Sequence, residues 1–245
     1  MRTLIVILTL AFLALFSQSA SAFDLGGPVT ASTGLEFRGQ DVFRGEKLSG
    51  DAVAVPWAKL TLGRDHSLRG WMAFQGNLSA SDYRAGHVFL GGSVPLPLGF
   101  EAMAGAQARV YHGSSLGNHP QQEAWAGLRW AFPWMETEGR YHRSLGNDGW
   151  YLSGHLQGSI PLRDYCQFPR LVLGTDLGMG EKRDVTVPFG PSRTAQPQNV
   201  RHVDTSAGVE ICLGRNVYLR PAVNYSLATQ ANQSNWYTSV AVAIR

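Results

Sequence analysis

Cysteine and charge are both scarce in this chain of 245 residues. Its two cysteines, Cys166 and Cys212, stand 46 positions apart, so there is no C-x-x-C redox motif and no cysteine-based zinc site, and the length excludes a cysteine-stapled mini-protein. Charged residues make up 16%, against about 25% in an average soluble domain. The net charge of +3 is too small for a nucleic-acid binder resting on a dense basic patch, so no nucleic-acid partner is expected. The histidines lack metal-ligand spacing and the scattered carboxylates form no calcium loop, so neither a metal nor a cofactor is expected. After residue 22 no apolar run approaches the about 18 residues of a membrane-spanning helix.

Glycine and aromatic residues are plentiful. All 28 glycines fall after residue 22, which is nearly twice the usual share of about 7%. Aromatics reach 11%, which excludes a disordered chain. The first 22 residues have the layout of an export signal: Arg2 as a positive start, an apolar run from Leu4 to Phe16, and Ala20-Ser21-Ala22 as a small-residue cleavage site. Two units are therefore expected, a signal peptide over 1–22 cleaved after Ala22 and one folded domain over 23–245. Without a spanning helix, that domain is either soluble outside the cytoplasm or crosses a membrane as a β-barrel.

From Pro28 onward apolar residues recur at every second position in segments of about ten, which is the signature of strands. Twelve segments begin near residues 28, 51, 67, 87, 99, 123, 135, 150, 169, 201, 217 and 236. An even number suits a single-chain bacterial barrel. Short links over 63–66, 95–98, 132–134, 162–168 and 213–216 alternate with mostly longer ones over 39–50, 79–86, 113–122, 144–149, 180–200 and 227–235. Outer-membrane barrels alternate short periplasmic turns with longer outer loops. The expected fold is therefore all-β, a transmembrane antiparallel β-barrel of about 12 strands with both termini periplasmic.

The charges support this fold more strongly than the segment count does. When the apolar phase of each segment is taken as the lipid side, for example Phe100, Ala102, Ala104, Ala106, Ala108 and Val110, no charge falls on it. The opposite phase, expected to line the lumen, carries Glu36, Arg38, Lys59, Arg69, Glu101 and Arg109 in the first half of the chain. It continues with Glu123, Arg129, Glu136, Glu138, Arg140, Arg170, Asp176, Asp204, Glu210 and Arg220. An Arg or Lys facing lipid at mid-membrane costs roughly 2–4 kcal/mol, whereas a lumen charge can be paired or hydrated. Acids and bases are equal in number and the bases are almost all Arg, whose planar fork suits confined carboxylates. Aromatics on the lipid phase cluster near segment ends: Phe37, Tyr141, Trp150, Tyr225 and Trp236 on the outer side, Phe100 and Trp130 on the inner. These positions are expected to form interfacial girdles.

The chain resembles a group of short bacterial outer-membrane proteins, the TorF-type porins. The resemblance rests on an opening strand that ends in an aromatic-Arg-Gly step, Phe37-Arg38-Gly39, with a second at Phe43-Arg44-Gly45. Further matching features are the segment Gly70-Trp71-Met72-Ala73-Phe74-Gln75-Gly76-Asn77, a hairpin from His87 to His112, and Trp150-Tyr151-Leu152 leading to Pro161. The resemblance implies an outer-membrane location and passive transport. Outer-membrane lipid, the barrel assembly machinery and small polar solutes are the expected partners.

Four features bear on chemistry. Cys166 and Cys212 are both expected at the periplasmic rim, where a disulfide closing the ~46-residue loop would stabilise by about 4 kcal/mol in the chain-entropy model. Two loops share the sequence Tyr-His-x-Ser, at Tyr111-His112-Gly113-Ser114 and Tyr141-His142-Arg143-Ser144. His112 and Ser114 would be the base and nucleophile of an outer-membrane lipid hydrolase. No acid is evident to orient the ring, and duplication of a hairpin is the simpler origin, so no enzyme is expected. The polar, proline-rich stretch 180–200 reads as a solvated loop that could also fold inward as a constriction. Inward-phase Trp57, Trp71 and Trp125 are expected to fill part of the interior, with sugar stacking as the functional alternative. A channel for small polar solutes is the leading expectation. A plugged structural or adhesive barrel and a soluble secreted β-protein are the alternatives.

Overall fold

The computed structural model describes residues 29–44, 46–63, 69–79, 84–112, 121–145, 149–162, 169–182, 198–214, 216–228 and 233–244. The expected export signal and its cleavage site lie outside these. Fourteen strands are found in this part of the chain: β1 (Val29–Arg38), β2 (Asp41–Phe43), β3 (Glu46–Ser49), β4 (Val53–Leu62), β5 (Arg69–Ser79), β6 (Arg84–Pro95) and β7 (Phe100–His112), then β8 (Gln121–Ala131), β9 (Met135–Ser144), β10 (Trp150–Pro161), β11 (Arg170–Lys182), β12 (Gln198–Gly214), β13 (Val217–Ala228) and β14 (Gln233–Ile244). Twelve of them close a barrel in the order β1-β14-β13-β12-β11-β10-β9-β8-β7-β6-β5-β4, with β4 returning to β1. Every neighbouring pair is antiparallel, including the closing pair in which Phe37 meets Val240 and Leu35 meets Val242. Closure removes the free edges that a sheet of this length would otherwise present. The twelve barrel strands match the twelve segments of the two-residue period.

Two stretches differ from the sequence expectation. The loop expected over 39–50 contains a two-stranded hairpin, β2 paired with β3 through Val42–Lys47 and Phe43–Glu46. The loop expected over 180–200 is shorter than its polarity suggested, because β11 runs to Lys182 and β12 starts at Gln198, with Glu181 opposite Asn199. Antiparallel pairing satisfies the backbone there, so polar side chains do not prevent the strand. Residues 183–197 lie outside the described part.

Alternation sorts the side chains between the two faces. Met72, Phe74, Leu90, Val110, Leu128, Leu156, Leu177 and Met179 are exposed on the outer face. Inward lie Glu101, Arg109, Trp125, His142, Tyr151, His202 and Glu210, all buried. Aromatic groups gather at both ends. Phe100, Trp130, Phe132 and Trp134 contact one another in series at the short-link end, with ring centroids 5.1, 4.1 and 6.3 Å apart. Tyr225 and Trp236 lie 4.5 Å apart at the other end. Trp130 Nε1 also donates to the Leu98 carbonyl at 3.0 Å, fixing the tight turn before β7, where Leu98 and Gly99 adopt positive φ.

Glycine makes room for tryptophan inside the barrel. Trp71 and Trp125 are stacked with centroids 5.7 Å apart. A Cβ on Gly91 would lie 2.7 Å from Trp71 and 2.9 Å from Trp125, and one on Gly34 would lie 2.6 Å from Trp57. The three inward tryptophans thus fill the interior along β4, β5 and β8.

Candidate functional site

With one side of the interior filled, the open space lies against the other. A cavity of about 660 Å³ is bounded by β1, the hairpin, β7 and the strands from β9 to β14. Of the sixteen charges expected to face inward, Glu36, Arg38, Glu136, Glu138, Arg140, Asp176, Asp204 and Arg220 line it. Arg44, His142, Tyr151, His155 and His202 also line it, and none of these was among the expected inward charges.

The remaining expected charges are held in pairs or packed on rings. Glu101 accepts from Ser93 at 2.7 Å and pairs with Arg69 and, at 3.4 Å, with Arg129, which reaches Glu136 at 2.6 Å. Arg170 Nε donates to Glu210 at 3.0 Å, and Glu210 is 2% exposed. Arg109 lies 3.1 Å from the His87 ring. Lys59 sits 5.6 Å from the Trp71 ring and Arg140 sits 4.5 Å from the Trp125 ring, so a cation lies against each member of the stacked pair. Arg140 pairs with Glu138, and Arg38 with Glu36 at 2.8 Å. Two of the cavity acids have histidine partners instead: His155 with Asp176 at 2.7 Å and His202 with Asp204 at 2.8 Å. Asp176 and Asp204 are directly opposite on β11 and β12. Like charges so placed repel, and each carboxylate has an imidazole nitrogen beside it.

The hairpin enters the cavity from the seam between β1 and β4. Its base is anchored by Asp41, 1% exposed, which accepts from Asn77 Nδ2 at 2.7 Å and lies 3.9 Å from Arg38. Its turn carries Arg44 at φ 51°. In a ring of twelve strands the position opposite the β1–β4 seam is the seam between β9 and β10. Arg44 contacts β8 and β10, the two strands that flank β9 beside that point. Its two terminal nitrogens donate to the two carboxylate oxygens of Glu123 on β8 at 2.8 and 2.7 Å. Its guanidinium carbon sits 3.8 Å from the ring centroid of Tyr151 on β10. The hairpin therefore spans the lumen from wall to wall. Glu123 also accepts from Gln107 Nε2 at 2.6 Å and lies 3.4 Å from His142 Nδ1.

The structure shows an inward-folded constriction at 41–49; the stretch 180–200, which could also fold inward, lies mostly outside the described residues. The second aromatic-Arg-Gly step, Phe43-Arg44-Gly45, repeats the motif at the end of β1 and singles out Arg44, but it does not say which way the loop folds. The inward histidines and Tyr151 share the phase of the expected charges, so the two-residue period alone could have found them. Of the hydrolase pair, His112 ends β7 and Ser114 lies outside the described residues. In the second copy of that motif His142 is buried inside the barrel, with Nε2 3.1 Å from Ser153 Oγ, because strand alternation turns it inward rather than onto the rim. Cys212 is exposed, with Sγ 3.0 Å from the Gly214 carbonyl, beside a register shift in β12. Cys166, its expected disulfide partner, lies outside the described residues.

No protein-family model matches the chain, and neither does any curated protein. Solved structures do. The chain is similar to the KdgM porin (11% identity, 87% of this chain and 98% of that one, TM-score 0.53) and to the NanC porin (10%, 88% and 99%, 0.53). It is also similar to an outer-membrane channel from Pseudomonas putida F1 (12%, 87% and 94%, 0.51). The fold is that of a small outer-membrane porin. At these identities the likeness speaks for the architecture, and the lining of the lumen is this chain's own.

Proposed function

We propose that the chain is a narrow outer-membrane channel of the TorF type for the passive passage of small polar solutes. One observation carries this reading: a closed barrel, apolar outside, encloses a cavity of about 660 Å³ lined mainly by charged and hydrogen-bonding groups. A soluble protein would gain nothing from an apolar outer face on twelve strands, and lipid makes that face favourable. In this reading the signal peptide is removed after Ala22, both chain ends are periplasmic, and the barrel assembly machinery inserts the strands. The lining carries Glu36, Glu136, Glu138, Asp176 and Asp204 against Arg38, Arg44, Arg140 and Arg220. That near balance predicts weak overall charge selectivity. Porin-fold relatives that are not enzymes agree with transport rather than catalysis.

Planar-bilayer recording with a panel of ions and uncharged sugars tests the reading, on protein shown to be folded by heat-modifiable gel mobility. Discrete channel events that small sugars attenuate are expected. Folded protein that gives none would leave a plugged barrel acting through its outer loops.

A further inference from the structure

The contacts of Arg44 are those by which proteins bind a free guanidinium group. Glu123 presents both carboxylate oxygens to two parallel N–H donors at 2.7 and 2.8 Å. Such fork-to-fork pairing is specific to the planar guanidinium and is not reproduced by an ammonium. The Tyr151 ring lies against the guanidinium carbon at 3.8 Å, which adds a cation–π contact. Each recognising group is fixed by the wall itself. Gln107 holds Glu123 at 2.6 Å, and the Tyr151 hydroxyl is hydrogen-bonded to His202, whose Nδ1 lies 2.8 Å from Asp204. All of these wall residues belong to barrel strands, whereas Arg44 arrives on a short two-stranded hairpin. The recognition elements are therefore on the barrel wall and the occupant is on a separate two-stranded element.

We infer that Glu123, Gln107 and Tyr151 form a guanidinium-binding site on the lumen wall, that Arg44 of the hairpin occupies it as an internal ligand, and that a guanidinium-bearing solute displaces Arg44 and opens the lumen. The opening step rests on the channel reading above; the binding site does not. Displacement is a competition between two guanidinium groups for one carboxylate, so a solute succeeds when its concentration exceeds the effective concentration that the hairpin imposes on Arg44.

Agmatine, a small guanidinium-bearing amine, is the probe, and putrescine is the control with comparable charge but no guanidinium. Calorimetry on folded protein in detergent measures binding. The Arg44→Ala variant, with the site vacated, is expected to bind agmatine more tightly than the wild type does, and more tightly than it binds putrescine. Adding Glu123→Gln, which keeps the shape and removes the charge, is expected to weaken agmatine by about tenfold or more. Equal binding by Arg44→Ala and by the double variant, or equal binding of agmatine and putrescine, overturns the site. In bilayers, agmatine is expected to raise wild-type conductance, and Arg44→Ala to conduct more than wild type without it. If Arg44→Ala binds agmatine and yet neither protein conducts, the opening step and the channel reading both fall. If both conduct and agmatine leaves wild-type conductance unchanged, only the opening step falls.

Discussion

Gly91 gives the most direct test of how the interior is packed. A methyl group at this position would meet Trp71 Cζ2 at 2.7 Å, Trp71 Cε2 at 2.8 Å and Trp125 Cζ2 at 2.9 Å. The rings have little freedom to retreat, since they are stacked on each other at 5.7 Å, Lys59 and Arg140 lie against them, and Trp125 is 3% exposed. Overpacking of this kind costs about 1–3 kcal/mol. Replacing glycine by alanine also restricts the unfolded chain, which by itself stabilises by about 0.4–1 kcal/mol. The net expectation for Gly91→Ala is a loss of about 1–2 kcal/mol. Gly154, in β10, has no atom within 4 Å of its added Cβ, so Gly154→Ala should be neutral or stabilising by about 0.5 kcal/mol. The difference of about 2 kcal/mol corresponds to a roughly thirtyfold change in the folding equilibrium. It can be read from urea titration in detergent with folded and unfolded barrels separated by unheated gel mobility. Because the three nearest atoms at Gly91 all belong to the two rings, the clash should shrink in a background carrying Trp71→Leu and Trp125→Leu. Gly105→Ala should not be rescued in that way, since its methyl would also strike the Leu90 carbonyl. A Gly91→Ala variant as stable as Gly154→Ala, or equally penalised with and without the tryptophans, would refute the packing argument.

The outward face can be tested at Leu156, which is 48% exposed near the middle of β10, beside Gln157, which lines the cavity. Leu156→Arg is expected to destabilise the barrel in lipid vesicles by about 2–4 kcal/mol and Gln157→Arg by far less; equal penalties would mean that the outer face does not meet lipid. In an oxidising compartment Cys166 and Cys212 are expected to join, with a stabilisation of about 4 kcal/mol in the chain-entropy model. Thiol labelling of the unreduced, denatured protein checks this, and modification of both cysteines would refute it.

Much of the architecture was legible in the chain because strand alternation is a local property. In β7 the order Glu101, Met103, Gly105, Gln107, Arg109 faces inward and Phe100, Ala102, Ala104, Ala106 faces outward, whichever strands lie alongside. The cost of a charge in lipid keeps charged side chains off the outward phase along the middle of the strands. At the ends of β9, β11 and β12 the expectation of a charge-free outer face fails, since Arg143, Glu181 and Arg201 take the outward phase there, where the headgroup region can hydrate them. The tryptophans were legible for the same reason, since Trp57, Trp71 and Trp125 sit on the inward phase with no polar role assigned to them. The hairpin at 41–49 was not legible as a constriction. Its two strands have three and four residues, too few to show a period, and the sequence of a short polar loop is the same whether it folds over the rim or into the lumen.

Partner choice within the lumen was also hidden, for a geometric reason. Arg44 and Glu123 are 79 residues apart, and Arg69 and Glu101 are 32 apart. Which acid meets which base depends on how many strands separate them, on the register that closure imposes, and on the path of the first loop. The sequence by itself determined the strand count, the two faces and the confinement of charge to one of them along the middle of the strands, because each follows from neighbouring residues and the energy of burying an ion. Only the tertiary structure decided that the tryptophans leave the cavity on one side and that Arg44 reaches across it to Glu123 and Tyr151. Those contacts exist only once twelve strands have closed a ring and brought opposite walls within the length of a hairpin.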